Sequence, residues 1–149
     1  MTVVLVEPEI PQNTGSVARL CAATRTPLHL VGRLGFSLED RYLKRAGLDY
    51  WPLVDLRVHV TWEDFARSAG RARLLGYSSH GEESYTRVRH RSDDTLVFGG
   101  ESRGLPDELR AALAPLHRIP IAETAVRSLN LSNAVSIVLY EALRQLGRV

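Results

Sequence analysis

The sequence predicts an α/β fold: a mainly parallel sheet with helices on both faces, in a single domain over residues 1–149. Three observations lead there. Short apolar or β-branched runs alternate with helical stretches along the whole chain. Those runs are continuous rather than alternating in polarity, as in strands covered on both faces. The length of 149 residues and the 44% hydrophobic content are enough for one enclosed core without disulfides or a metal.

Thr2-Val3-Val4-Leu5-Val6 is the first strand, bounded by Glu7-Pro8. Asn13 or Thr14 then starts a helix, with Val17, Leu20, Cys21 and Thr24 at helical spacing. Leu28 to Val31 is a second strand, stopped by Gly32, and a polar helix follows over 38–46. Asp55 to Val60 reads as a strand, Trp62 to Ala69 as a helix and Arg73 to Tyr77 as a strand. Ser78 to Asp94 is polar and charged, which predicts an exposed loop or edge segment. Thr95 to Phe98 is a strand ended by Gly99-Gly100. Pro106 suits the first turn of a helix running to Leu113, and His117 to Ile119 is a short last strand. In the final helix Ala134, Val135, Val138, Leu139, Ala142, Leu143 and Leu146 make one apolar stripe. Ser132 is its expected cap and Gly147 its stop.

Composition excludes several classes. No apolar run approaches the roughly 20 residues that span a bilayer, and Met1 to Glu9 lacks the basic start of a secretory leader. The single cysteine, Cys21, cannot form an internal disulfide, which fits a cytoplasmic location. The five histidines are scattered, so no metal site is expected. No G-x-S-x-G elbow is present; His80 and His117 read as surface or satisfied core residues. Net charge is +2, and Lys44 is the only lysine among the basic residues. Two basic clusters, Arg41-Lys44-Arg45 and Arg87-Arg89-Arg91 with His90, are read either as solvated faces or as RNA-phosphate contacts.

Three polar segments sit at predicted strand ends or helix starts, where open α/β sheets bind ligands. The first is Pro11 to Arg19, with Asn13 and Thr14 at a helix N-terminus. The second is Phe98-Gly99-Gly100-Glu101-Ser102-Arg103-Gly104-Leu105, whose glycines let a ligand approach the backbone. Its order is neither GxGxxG nor a Walker loop, which argues against NAD or ATP. The third is Arg118 to Ile121 followed by Arg127-Ser128-Leu129-Asn130-Leu131-Ser132-Asn133-Ala134, where polar and leucine positions alternate like a pocket wall.

In this order the three segments resemble the three motifs of the SPOUT RNA methyltransferases, over nearly the whole chain. The likeness is strongest to the minimal single-domain subfamily that methylates the wobble ribose of tRNA (position 34, cytidine or uridine). Glu7 to Pro11 and Arg45-Ala46-Gly47-Leu48-Asp49-Tyr50 share it; Ser16 and Gly100 depart from the common pattern. The resemblance implies a deep C-terminal trefoil knot, a homodimer, and S-adenosyl-L-methionine held in the knot loops. It places Tyr77, Gly99, Gly104, Ile119, Ile121, Ser128, Leu129 and Asn133 at the cofactor. It makes Arg19 the central residue of the reaction, with Asn13, Glu101, Ser128 and Asn130 orienting it and the ribose. A guanidinium stays charged, so Arg19 is expected to clamp an alkoxide and phosphate rather than act as a base. The anticodon stem-loop of tRNA would then meet Arg41, Lys44, Arg45, Arg87 and Arg89. The alternatives are a relative acting elsewhere on tRNA or rRNA, and a non-catalytic RNA-binding relative.

Overall fold

A computed structural model describes residues 1–39 and 50–149. In chain order the elements are β1 (Thr2–Val6), α1 (Pro11–Thr24), β2 (Leu28–Val31), β3 (Leu56–His59), α2 (Trp62–Ala69), β4 (Leu74–Tyr77), β5 (Glu83–Ser84), β6 (Thr95–Gly99), α3 (Asp107–Ala112), β7 (His117–Arg118) and α4 (Leu131–Gln145). The strands form one seven-stranded sheet in the order β3-β2-β1-β6-β4-β7-β5, parallel at every pairing.

The strands are apolar on both sides because each side carries a core. Val3 and Leu5, with Leu28, Leu30, Leu96 and Phe98, point to the face covered by α1 and α4. Val4 and Val6, with Val31 and Val97, point to the face that receives Phe65 of α2 and Leu109 of α3. Continuous burial along β1 therefore reflects two helical layers rather than one.

This topology positions a crevice. Neighbouring strands β1 and β6 run parallel, yet β1 leads into α1 on one face and β6 leads into α3 on the other. Their exit loops diverge at the carboxyl edge, the place where open α/β sheets hold ligands.

Several local expectations need correction. Helix α1 starts at Pro11, where a missing N–H costs nothing, so Asn13 lies inside the first turn. Pro106 is the residue before α3 rather than in its first turn. The cap of α4 is Asn130, not Ser132: its side-chain oxygen accepts from Ser132 N at 2.9 Å and Asn133 N at 3.4 Å. Residues 78–94 are not simply an exposed loop. They carry β5 on the sheet edge, bury Val88 and end on fully buried Asp94. Asp94 accepts both arms of Arg73 at 2.7 Å, the Arg91 amide at 2.9 Å and a contact from His90 Nδ1 at 3.2 Å. Burial opposes that carboxylate, but these donors outweigh it and hold its pKa below the usual range. His90 consequently turns inward instead of joining a basic surface with Arg87 and Arg89. From residue 40 on, the helix expected over 38–46 lies outside the described residues, as do Arg41, Lys44 and Arg45.

Candidate active site

The crevice starts with two loops that lock onto each other. Glu101, just after β6, accepts from the backbone N–H of Glu9 at 2.8 Å and of Ile10 at 3.2 Å, and from Asn13 Nδ2 at 2.9 Å. Glu9 returns the contact, accepting from Ser102 N at 3.0 Å and from the Ser102 hydroxyl at 2.6–2.7 Å. Those Ser102 bonds favour the charged form and lower the Glu9 pKa.

The third segment joins through Asn130. Its Nδ2 donates to Asn13 Oδ1 at 2.8 Å while its own oxygen caps α4. Asn13 therefore spends both ends of its amide, one on Glu101 and one on Asn130, with 7% of its surface exposed. Residues 13, 101 and 130, far apart in sequence, form one relay across three loops, with buried Asn13 at its centre. A carboxylate acceptor and two amides that each donate and accept leave no mismatched pair in it.

Glycines shape the turn that follows β6. A Cβ on Gly99 would lie 2.0 Å from the Gly104 carbonyl carbon and 2.2 Å from Leu105 N, so the loop doubles back tightly enough to require glycine. Gly104 adopts φ +67 and bonds its N–H to Gly100 O at 2.9 Å. Space beside the Gly104 Cα is open, and it faces the crevice.

The result is a cleft of about 880 Å³, a size suited to a nucleoside-sized ligand. Tyr77, Gly99, Gly104, Ile119, Ile121, Ser128 and Leu129 all line it, and so do Asn13, Glu101 and Asn130. The structure thus gathers most of the expected site at one place. Asn133 and Arg19 are not on its wall. Asn133 sits in the first turn of α4, and Arg19 is exposed on α1 with its guanidinium carbon 5.5 Å from the centre of the Tyr50 ring. Arg87 and Arg89 are exposed but do not line the cleft either.

Sequence reasoning missed part of the wall. His117 is buried at 7% exposure, and its Nδ1 makes no hydrogen bond but faces Glu83 Oε2 at 3.9 Å. Burial lowers its pKa. Its register partner Tyr77 stacks on Phe98 at 5.0 Å and also leaves a buried hydroxyl unpaired; burial raises that phenol's pKa. Arg103 and Arg127 also line the cleft and are exposed, without an ion pair among the described residues. Arg103 stands inside a quoted motif and Arg127 at the edge of another, so their position beside glycine and serine was the available signal. By contrast Cys21 is packed in the core, where burial pushes its thiol up to about 12 and leaves it inert.

A parallel α/β sheet with a nucleoside-sized cleft at its switch point, walled by a glycine turn and a capped helix start, belongs to the class of open α/β proteins that hold a small ligand at the carboxyl edge. The chain belongs to the SpoU rRNA Methylase family, which it matches over residues 1–140. It is 46% identical over 144 residues to a tRNA (cytidine(34)-2'-O)-methyltransferase of Methylovorus glucosotrophus, covering 96% of this chain and 94% of that one. It resembles a solved structure described for 2-OH methylation of C/U34 on tRNA, with TM-score 0.94, 52% identity, and 98% of this chain and 95% of that chain covered. The AdoMet complex of the SpoU methyltransferase AviRb from Streptomyces viridochromogenes is similar at TM-score 0.86 and 26% identity, over 100% of this chain and 61% of that one.

Proposed function

We infer that this chain transfers a methyl group from S-adenosylmethionine to the ribose 2′-hydroxyl of the position-34 cytidine or uridine of tRNA. The observation that carries the reading is that the Asn13–Glu101–Asn130 relay ties the three motif segments together along the wall of one cleft. The names of the relatives point to the same nucleotide.

The residues present fit the donor. The wall combines apolar side chains (Leu105, Ile119, Leu129) with the open backbone at Gly104 and the hydroxyl of Ser128. Tyr77, Gly99, Gly104, Ile119, Ile121, Ser128 and Leu129 would hold it. S-adenosylmethionine supplies a methyl group already activated by a sulfonium. The protein's share is alignment and exclusion of water, because charge is neutralised as the new bond forms. The relay fixes the loops so that little reorganisation is left for the reaction. The 2′-hydroxyl proton leaves to water or a phosphate oxygen, since Arg19 keeps its own protons.

Arg19 acts as the clamp on the developing alkoxide and the adjacent phosphate, and it comes from a second copy of the chain. Its exposed place on α1, outside the cleft, supports an arrangement in which two copies complete each site. So does the exposure of Ile10 (42%) and Val126 (46%), two apolar residues on the cleft wall. The C-terminal segment from β7 through α4 is read as threaded into a trefoil knot. Its support is that the loops after β6 and before α4 line one cleft and both bond to Asn13. RNA phosphates meet Arg87, Arg89, Arg41, Lys44 and Arg45, and Arg103 and Arg127 join them at the cleft itself. The work is cytoplasmic and needs no metal; no described helix is long and apolar enough to cross a membrane.

The test is methylation of total tRNA with isotopically labelled donor, followed by nuclease mapping. Label at the first anticodon nucleotide supports the reading. Label confined to another tRNA position or to rRNA would reassign the target.

A further inference from the structure

Arg19 rests on a ring. Its guanidinium carbon lies 5.5 Å from the Tyr50 centroid, within cation–π range. It has no hydrogen bond or ion pair among the described residues. Tyr50 is itself fixed by its hydroxyl, which donates to Gly15 O at 3.0 Å, and by partial burial against the α1–α4 core. Gly15 lies one helical turn before Arg19 on α1. The ring and the guanidinium it supports are therefore held in the frame of the same helix.

The type of seat matters. A carboxylate would hold Arg19 but would neutralise it and occupy its N–H donors, the same donors an alkoxide or phosphate needs. An aromatic face attracts the cation without accepting those bonds in the plane of the fork. It also restrains a long side chain whose rotamer entropy would otherwise be lost on engaging substrate. We propose that Tyr50 is a positioning residue for the reaction: its ring pre-orients Arg19 with charge and donors free. This proposal rests on the reading of Arg19 as the ribose clamp.

The experiment compares Arg19→Ala, Tyr50→Phe, Tyr50→Leu and a series placing increasingly fluorinated phenylalanines at position 50. Fluorination drains the ring's negative face while nearly preserving its shape. Steady-state methylation of tRNA gives kcat and KM, and calorimetry gives S-adenosylmethionine affinity. Arg19→Ala is expected to abolish turnover. Tyr50→Phe should stay within about threefold of the parent. Tyr50→Leu and the most fluorinated ring should lower kcat by roughly 2- to 30-fold, the span of a cation–π contact, with cofactor affinity unchanged. Graded loss along the fluorination series supports the proposal. A flat series beside an inactive Arg19→Ala overturns the seat but leaves the clamp standing. A cofactor affinity that falls in step with kcat also overturns it, because Tyr50 would then be acting on the fold. An active Arg19→Ala removes the clamp, and the seat with it.

Discussion

Asn130 performs two tasks that one substitution series separates. Its oxygen caps α4 and its Nδ2 donates to Asn13. Asn130→Ser keeps a capping oxygen but loses the reach to Asn13. Asn130→Asp keeps a strong cap but replaces the donor with an acceptor facing Asn13 Oδ1. Asn130→Ala loses both. A cap is worth about 1 kcal/mol. The lost hydrogen bond removes about 1 kcal/mol, and the stranded Asn13 oxygen, nearly buried, adds about 1 kcal/mol more. Expected losses are therefore about 2 kcal/mol for Ser or Asp and about 3 kcal/mol for Ala. For a chain of 149 residues the alanine variant should melt roughly 6–12 °C lower. Urea unfolding followed by circular dichroism, at one fixed protein concentration, measures the differences. An Asn130→Asp protein as stable as the parent would refute the relay, since a cap alone would then explain the residue.

Three further outcomes are expected. Gly99→Ala places a Cβ against backbone that cannot rotate away, so it should cost about 3 kcal/mol or more and abolish S-adenosylmethionine binding; parental affinity by calorimetry would contradict the tight-turn account. His29 is held neutral, its pKa lowered to about 4 by burial, then by the His59 ring 3.0 Å away and Arg57. The unfolded chain binds that proton more readily, so stability is complete above about pH 6.5 and falls as pH drops toward 4, by ~1–3 kcal/mol. Unfolding midpoints at pH 7 and pH 4.5 for the parent and His29→Gln test this; equal acid losses in both would clear His29. Arg103→Gln and Arg127→Gln should each weaken tRNA binding and reduce the salt slope by about 1, without changing cofactor affinity. Filter binding across salt concentrations checks it, and an unchanged slope would return both arginines to the solvent.

The parts of this molecule that read from sequence are those set by local pattern. The α2 bounds, Trp62–Ala69, agree with the expectation because Thr61, Glu63 and Asp64 form an ordinary helix start and the next glycine stops it. The parallel sheet followed from strands that are apolar on both sides. What pattern could not supply was pairing across long separations. Asn130 takes the cap from Ser132 because Asn13, 117 residues away, orients its amide. Asp94 looked like one more charge in a polar loop, yet Arg73 and His90 bury it. His117 reads as a surface or satisfied core residue, but β7 inserts between β4 and β5 and sets it on the cleft wall. The three motifs were legible as a set, but the reason they belong together is the β1–β6 switch point, which only the topology displays.

The proposed reaction turns on the ribose 2′-oxygen of nucleotide 34. Purified protein should be given S-adenosylmethionine and two tRNAs identical except for a 2′-deoxy sugar at that nucleotide, with products digested and read by mass spectrometry. The account predicts a 2′-O-methylated cytidine or uridine from the ribose substrate and no methylation of the deoxy one. Methylation of the deoxy substrate, or a methyl group on a base, would contradict it.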